Sequence, residues 1–204
     1  FPSTTLFRSS KRPDVKALYE ARFNDWLASK NLNVKESERD AYRFRFMLEI
    51  YSAAYKEMTE YVRSLGAKQP FTEQNNGDNA FLAFTRKDYD YADNHFYYDF
   101  PQFLKQAWGL PLAIKNMSAV TSMNSSQSSS IAPRILGKPY MITEFNWVYP
   151  NRCRGEAGAI TAAYGALQDW SGIYLYQYSS GEEAQLKNDA ASTRWELCND
   201  PVIY

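Results

Sequence analysis

Histidine and cysteine are scarce in this sequence of 204 residues, which contains one histidine and two cysteines. His95 lies far along the chain from Cys153 and Cys198, so the ligand spacing of a zinc site is missing and we expect no bound metal. A glycine-rich phosphate loop is also missing, and we expect no cofactor. The two cysteines are compatible with one disulfide or with a buried free pair.

The chain also lacks an excess of charge of either sign and a long apolar run. Lys plus Arg and Asp plus Glu both number 23, so the formal net charge is zero and no basic field attracts nucleic acid. No run of about eighteen apolar residues is present to span a membrane. We therefore expect neither nucleic acid nor a membrane as partner, and a neutral ligand fits better. The composition leaves the oligomeric state open.

Aromatic residues, by contrast, are abundant. They make up 16% of the chain and include sixteen tyrosines. Such side chains fill cores, and they also stack on the flat apolar faces of ligands. The excess is compatible with a ligand cleft but does not by itself indicate one.

The first residues differ in character from the rest. Phe1 to Ser10 lack the charged and apolar regions of a signal peptide. Their sequence resembles the translation of a common sequencing-adapter primer. We expect residues 1–12 to be a non-native, adapter-derived or disordered tail, with a short native tail as the alternative. On the first interpretation, the native protein extends upstream of residues 13–204.

Apolar residues at spacings of three and four predict four helices. The first two run from about Pro13 to Leu27 and from about Asp40 to Leu65, and Gly66 is the expected C′ residue of the second. A short helix is predicted around Ala80 to Phe84. The last runs from about Gly155 to Trp170, and its small residues allow close approach to a sheet.

Strand-like segments alternate with these helices, which is typical of parallel βα units. Four units make half of a (β/α)8 barrel or a small doubly wound sheet, since a full barrel takes about 250 residues. A long irregular region is expected from Gln102 to Pro133, and a polar tail is expected after the last strand, from Gly181 to Tyr204. The predicted strands are Ala67–Thr72, Tyr89–Tyr98, Tyr140–Thr143 and Gly172–Tyr178.

Candidate site residues gather where these strands end. Alternate residues of a strand share a face, so His95 and Tyr97 are expected to point together. Hydrogen bonds from a phenol and an imidazole hold a carboxylate in its charged form and fix its direction, as a carboxylate nucleophile requires. Glu144, which follows the apolar run of the next strand, is the candidate. The alternative is that this strand has simply reached water.

Three runs of this sequence resemble the C-terminal half of clan A glycoside hydrolases, close to cellulase-like members of family 5. They are ADNHFYYDFP, GKPYMITEFNWVYPNRCRGEAG and AAYGALQDWSGIYLYQYS. The resemblance covers roughly Pro13 to Ser180. It is most specific in the His-x-Tyr of residues 95–97 and the Thr-Glu-Phe-Asn of residues 143–146.

This resemblance implies an α/β fold that is a partial TIM (β/α)8 barrel, comprising strands five to eight with their helices in residues 13–204. It implies a retaining glycoside hydrolase acting on β-linked glycans, with an oligo- or polysaccharide as partner and a secreted or periplasmic location. Glu144 would be the nucleophile at the end of the seventh strand. His95 and Tyr97, on the sixth, would lie beside it and the substrate.

The resemblance also suggests residues that contact the sugar. Asn94 precedes the His-x-Tyr motif and Asn146 is the last residue of the Thr-Glu-Phe-Asn motif. Trp147, just past the nucleophile, is a candidate sugar platform, with burial as the alternative. Family 5 enzymes usually carry a Trp platform on the eighth strand. Here that strand has tyrosines, of which Tyr176 and Tyr178 are the substrate-binding candidates.

One part of the family pattern is missing. The acid/base of the clan is a Glu preceded by Asn, and no Asn-Glu pair occurs in this chain. We therefore expect the proton donor to lie upstream and the chain alone to be inactive, with Glu73 as a weak substitute. The alternative function is a non-catalytic carbohydrate-binding barrel.

Overall fold

A computed structural model describes residues 12–75, 82–122, 130–179, 181, 195–198, 200 and 202. The chain divides into two compact units, Phe1–Gln69 and Pro70–Tyr204. The expected N-terminal tail, apart from Arg12, and most of the expected polar tail lie outside the described residues. In the described ranges, no helix has both the length and the apolar composition needed to cross a bilayer.

The first unit is helical. Helix α1 spans Pro13–Ser29, a 3-10 turn follows at Glu36–Glu38, and helix α2 spans Arg39–Ser64. Gly66 has a φ of +94°, the left-handed conformation that ends a helix and that glycine adopts without a steric cost. Both predicted helices and the predicted C′ glycine are confirmed.

The core of the first unit is built from one face of each helix. Its rings pack closely, with 5.7 Å between the centroids of Phe23 and Phe46. The guanidinium of Arg43 lies over Phe23 and pairs with Glu20 at 3.0 Å. The fully buried members of this core are Phe23, Leu27, Phe46 and Met47.

Among its described residues, the second unit holds a parallel sheet of three strands, in the order Ala92–Tyr98, Tyr140–Trp147 and Gly172–Leu175, and a two-stranded antiparallel hairpin. The chain is therefore of mixed α/β class, as the alternation of elements predicts. Its elements are α3 (Leu82–Arg86), β1 (Ala92–Tyr98), β2 (Gln102–Phe103), β3 (Leu112–Ala113), β4 (Tyr140–Trp147), α4 (Glu156–Leu167) and β5 (Gly172–Leu175).

The prediction of a strand at residues 67–72 was wrong. Pro70 has no N–H to give to a ladder. The segment makes only a few contacts near the start of β1. The amide of Phe71 donates to the carboxylate of Asp90, and the amide of Asp90 donates to the carbonyl of Phe71. Thr72 donates to the carboxylate of Asp93. Two of these three contacts go to side chains, so no β-ladder forms.

Strands β1 and β5, at Ala92–Tyr98 and Gly172–Leu175, are shorter than the predicted Tyr89–Tyr98 and Gly172–Tyr178. Two further differences concern β4 and the region after β1. Strand β4 continues past Thr143 to Trp147, because Phe145, Asn146 and Trp147 stay in register with the end of β1. The region 102–133, which was expected to be irregular, contains the β2-β3 hairpin. Both differences depend on pairing between residues distant in sequence, which local propensity does not report.

The core of the second unit includes one face of the sheet and buried residues of α4. Rings from neighbouring strands meet there, with 5.5 Å between the centroids of Tyr98 and Trp147. Ala157 of α4 is fully buried in the same cluster. A Cβ at Gly165 would lie 2.5 Å from Ile173 Cδ1, so the absence of a side chain allows α4 to approach β5 closely. This is the close approach that the small residues predict.

Candidate active site

A bulge in β4 decides which side chains face the site. Asn94 pairs with Ile142 but His95 pairs with Glu144, so Thr143 is an extra residue between the two pairs. Side chains alternate along a strand, and Ile142 points into the core. The extra residue shifts this alternation and places Glu144 on the opposite face, together with His95.

Glu144 is held through one of its two oxygens. The phenol of Tyr97 donates to Oε2 at 2.5 Å, and Nδ1 of His95 lies 3.3 Å from the same oxygen. No described residue hydrogen-bonds to Oε1. The side chain is 31% exposed. One oxygen is thus fixed in place, while the other remains available to a ligand.

The environment of Tyr97 keeps its phenol protonated. Burial raises the pKa of the Tyr97 phenol well above its ordinary value, and the hydrogen bond to Glu144 and the charge of that carboxylate raise the pKa further. Tyr97 therefore remains a hydrogen-bond donor throughout the neutral pH range. Ionisation of the phenol therefore does not break its hydrogen bond to Glu144 in the neutral pH range.

The three side chains open into a cleft of about 530 Å³. This volume falls within the range of about 300 to 1,000 Å³ that small-molecule sites occupy. Six of the eight lining residues are aromatic, which makes the walls largely apolar around a single carboxylate. The lining residues are His95, Phe96, Tyr97, Phe100, Trp108, Glu144, Tyr176 and Trp195.

Asn146 fastens two segments of the cleft wall to β4. Its side-chain Nδ2 donates to the carbonyl oxygens of Tyr176 and Trp195, both at 2.7 Å. Both amide hydrogens are therefore engaged inside the protein, and the residue is 1% exposed. Asn146 was expected to bind substrate, but the structure places it as a support for the residues that line the cleft.

The C-terminal residues are anchored at a second point. Arg154 and Asp200 form a buried bidentate ion pair, with Nε to Oδ2 at 2.5 Å and Nη2 to Oδ1 at 2.8 Å. The amide of Leu197 also donates to the carbonyl of Gln177 beyond the end of β5. Paired and bidentate contacts of this kind fix orientation as well as position. The described part of the expected polar tail thus belongs to the folded unit and carries Trp195 into the cleft.

Trp108 reaches the cleft from the loop between β2 and β3. Its φ is 64°, in the left-handed region that bulky residues rarely adopt and that costs about 1 to 2 kcal/mol per residue. The indole is 66% exposed and lies 5.3 Å from the ring of Phe103 and 6.2 Å from that of Phe100. The loop therefore holds an exposed aromatic ring beside the site at an energetic cost.

The structure does not bring three of the expected sugar-binding residues to the cleft. Asn94 pairs with Ile142 just before the bulge, and it lies buried on the core face of the sheet. Trp147 is 1% exposed and packs in the core, so neither face of its indole is open to a sugar. Tyr178 is 56% exposed, but it does not line the cleft. Tyr176, the fifth candidate after Asn146 and these three, does line it.

Sequence reasoning missed four lining residues, Phe96, Phe100, Trp108 and Trp195. Phe100 could have been found, because it comes two residues after the carboxyl end of β1. No local signal marks Trp195, which lies nearly a hundred residues further along the chain. Glu73, the weak candidate for the proton donor, accepts from the phenol of Tyr89 before the start of β1 and does not line the cleft.

Comparison of the chain with protein-family models, with curated proteins and with solved structures found no match in any of the three. The chemistry of the site therefore rests on its own geometry. A carboxylate held at one oxygen by a phenol, in a cleft with aromatic walls, is suited to act as a nucleophile on an electrophilic carbon of a bound ligand.

Proposed function

We propose that this chain carries the nucleophile of a retaining glycoside hydrolase that acts on β-linked glycans. The observation that supports this most directly is the placement of Tyr97 and His95 on one oxygen of Glu144, within an aromatic cleft. Glycans present apolar C–H faces that suit aromatic walls. A glycosidic carbon is the electrophile that such a carboxylate attacks in retaining enzymes.

In the proposed reaction, Oε1 of Glu144 attacks the anomeric carbon and the bond to the leaving oxygen breaks. A glycosyl ester forms on Glu144, and water later hydrolyses it. Tyr97 holds Oε2 throughout, so the attacking oxygen keeps its direction. The leaving oxygen also needs a proton from a second carboxyl group at about 5 to 5.5 Å. Glu144 is the one carboxylate among the described residues that line the cleft, so the proposed proton donor is a group other than these residues.

We further propose that β1, β4 and β5 correspond to the sixth, seventh and eighth strands of a (β/α)8 barrel. All three strands are parallel, and α4 connects the last two, as in a barrel unit. The cleft also draws on residues beyond the carboxyl ends of the strands, where barrel enzymes carry their active sites. The segment at Phe71 and Thr72 lies beside the start of β1, where a fifth strand would pair.

Covalent trapping tests the nucleophile without requiring the proton donor. The probe is a panel of 2,4-dinitrophenyl 2-deoxy-2-fluoro-β-glycosides, including the glucoside, the xyloside and the mannoside. Dinitrophenolate leaves without protonation, while fluorine at C2 slows hydrolysis of the ester by destabilising its cation-like transition state. We expect stoichiometric release of dinitrophenolate and one added glycosyl mass on the peptide that contains Glu144.

Glu144→Gln should abolish both the release and the adduct, because an amide is a poor nucleophile. Glu60→Gln is the matched control, since it removes one carboxylate from an exposed position on α2. It should label as the parent chain does. An adduct on a different residue, or equal turnover of the parent chain and of Glu144→Gln, ends the nucleophile assignment.

The second candidate function is carbohydrate binding without catalysis. Two observations favour it: the aromatic majority of the lining, and the single carboxylate among the described lining residues. In that case, calorimetry should detect oligosaccharide binding to the chain, while the fluorinated probes leave Glu144 unlabelled. Labelling of Glu144 decides for the enzyme.

A further inference from the structure

We propose that Phe100, Trp108 and Trp195 form a subsite for a second sugar ring. This aromatic wall would stack against an uncharged pyranose unit next to the one that reacts at Glu144. The inference rests on the proposed function for the identity of the ligand. It adds the requirement that the bound glycan is at least a disaccharide.

The three rings form one continuous wall beside the carboxylate. Phe100 contacts Trp108 and Trp195, with centroid distances of 6.2 Å and 5.8 Å. Trp195 also lies edge-on to Tyr97 at 4.5 Å, and Tyr97 bonds to Glu144. All these residues line the same cleft. A glycan whose reacting ring lies at Glu144 would therefore meet this wall with its next ring.

Two features distinguish the wall from a core cluster. Phe100 and Trp108 are 50% and 66% exposed, whereas aromatic residues on the opposite face of the sheet are buried. Trp108 also keeps its strained left-handed backbone conformation. Strain of this kind persists at ligand sites when the surroundings hold it in place, so an exposed and strained indole beside a cleft points to a bound ligand.

The charges of the lining select an uncharged sugar. Glu144 is the one acidic residue among the eight lining residues, and none of the eight is Lys or Arg. A uronic acid would bring a second negative charge close to Glu144, in surroundings of low dielectric and with no Lys or Arg among the described lining residues to offset it. The apolar C–H face of a neutral pyranose, in contrast, stacks on an indole without such a penalty.

Calorimetry on the intact chain with Glu144→Gln, which blocks turnover, tests the subsite. The ligands are cellotetraose, xylotetraose and mannotetraose, the corresponding monosaccharides, and trigalacturonic acid. We expect at least one neutral tetraose to bind more tightly than its monosaccharide, and the uronate to bind more weakly than that tetraose. Adding Trp108→Ala should weaken tetraose binding about 3- to 10-fold and leave the monosaccharide unchanged.

Two further variants control for damage to the loop. Trp108→Phe keeps an aromatic face and should retain most of the tetraose affinity. Leu110→Ala removes an equally exposed apolar side chain, 66% exposed, that does not line the cleft, and it should change nothing. Circular dichroism of each variant checks that the fold is intact.

Three results would overturn the proposal. They are equal affinity for tetraoses and monosaccharides, equal losses in Trp108→Ala and Leu110→Ala, and tighter binding of tetramethylammonium than of any sugar, which would mark a cation cage. The outcome is separable from that of the proposed function. Tetraose binding that depends on Trp108 without labelling of Glu144 keeps the subsite and rejects the hydrolase, while labelling with no tetraose preference does the reverse.

Discussion

The two faces of the β1-β4 pair share one hydrogen-bond ladder but differ in almost everything else. One face packs Phe96, Tyr98, Phe145 and Trp147 into the core. The other presents His95, Tyr97 and Glu144 to the cleft, with buried Asn146 behind the wall residues. Neighbouring residues of the same strand therefore have different roles, one in packing the core and the next in forming the cleft. Substitutions on the core face should change the free energy of unfolding, and those on the cleft face should change ligand chemistry.

The largest effect is expected on the core face, from Trp147→Ala. The substitution empties a fully buried site and should lower the free energy of unfolding by about 3 to 5 kcal/mol. Urea denaturation followed by circular dichroism measures this loss. Trp147→Phe is the matched control: it keeps a ring and removes an indole N–H that has no hydrogen-bond partner in the described structure, so the loss should be much smaller. Equal losses would contradict the cavity explanation.

On the cleft face, Tyr97→Phe should affect chemistry more than stability. It removes a hydrogen bond to a carboxylate, which is worth about 1.5 to 3 kcal/mol, and should slow the first dinitrophenolate release about 10- to 100-fold. The ring remains in place against Trp195, so the free energy of unfolding at neutral pH should fall by less than in Trp147→Ala. A loss of stability as large as that of Trp147→Ala would remove the distinction between the faces.

The same variant has a second readout at alkaline pH. The folded-state pKa of the Tyr97 phenol lies above its value of about 10 in the unfolded chain. The stability that this difference contributes is complete below about pH 10 and is lost as the pH rises toward the folded-state pKa. Between pH 9 and about pH 11, the parent chain should therefore lose more stability than Tyr97→Phe. Equal losses of unfolding free energy in the parent chain and in Tyr97→Phe over this pH range would contradict the raised pKa of the Tyr97 phenol.

A smaller effect is expected from Asn146→Ala, which tests how the cleft wall is attached. Losing two hydrogen bonds to carbonyl oxygens should cost about 1 to 3 kcal/mol. Hydrogen exchange should quicken at residues 195–198 and leave β1 as protected as in the parent chain. Asn24→Ala in the first unit is the control and should not change exchange at residues 195–198. Unchanged exchange there in Asn146→Ala would show that the other contacts, which include the ion pair of Arg154 and the backbone bond from Leu197 to Gln177, hold the segment without Asn146.

Local patterns predicted the elements whose stability is local. Helices α1, α2 and α4 follow from apolar spacing, and Gly66 from the backbone conformation that a helix end needs. The pairing of His95 and Tyr97 on one face also follows from strand geometry. The expected strand at residues 67–72 fails because a strand is defined by its partner, and the partner contacts here go partly to side chains.

Residues that depend on distant pairing were not predictable in the same way. Asn94 and Trp147 were assigned to the ligand because they neighbour matched motifs, but the pleat turns them toward the core. Trp195 reaches the cleft through bonds to Asn146 and Gln177, each of which joins residues far apart in sequence. A single sequence carries no signal for such contacts.

The additional residue at Thr143 has a consequence for how this cleft can change over generations. Odd and even positions of a strand belong to opposite sides, and one inserted codon exchanges them for everything downstream. The bulge absorbs this exchange, because loss of Thr143 would leave Glu144 directly after Ile142, still facing the cleft, with Phe145 still in the core. The length of β4 at this point can therefore change by one codon without turning the carboxylate away from the cleft.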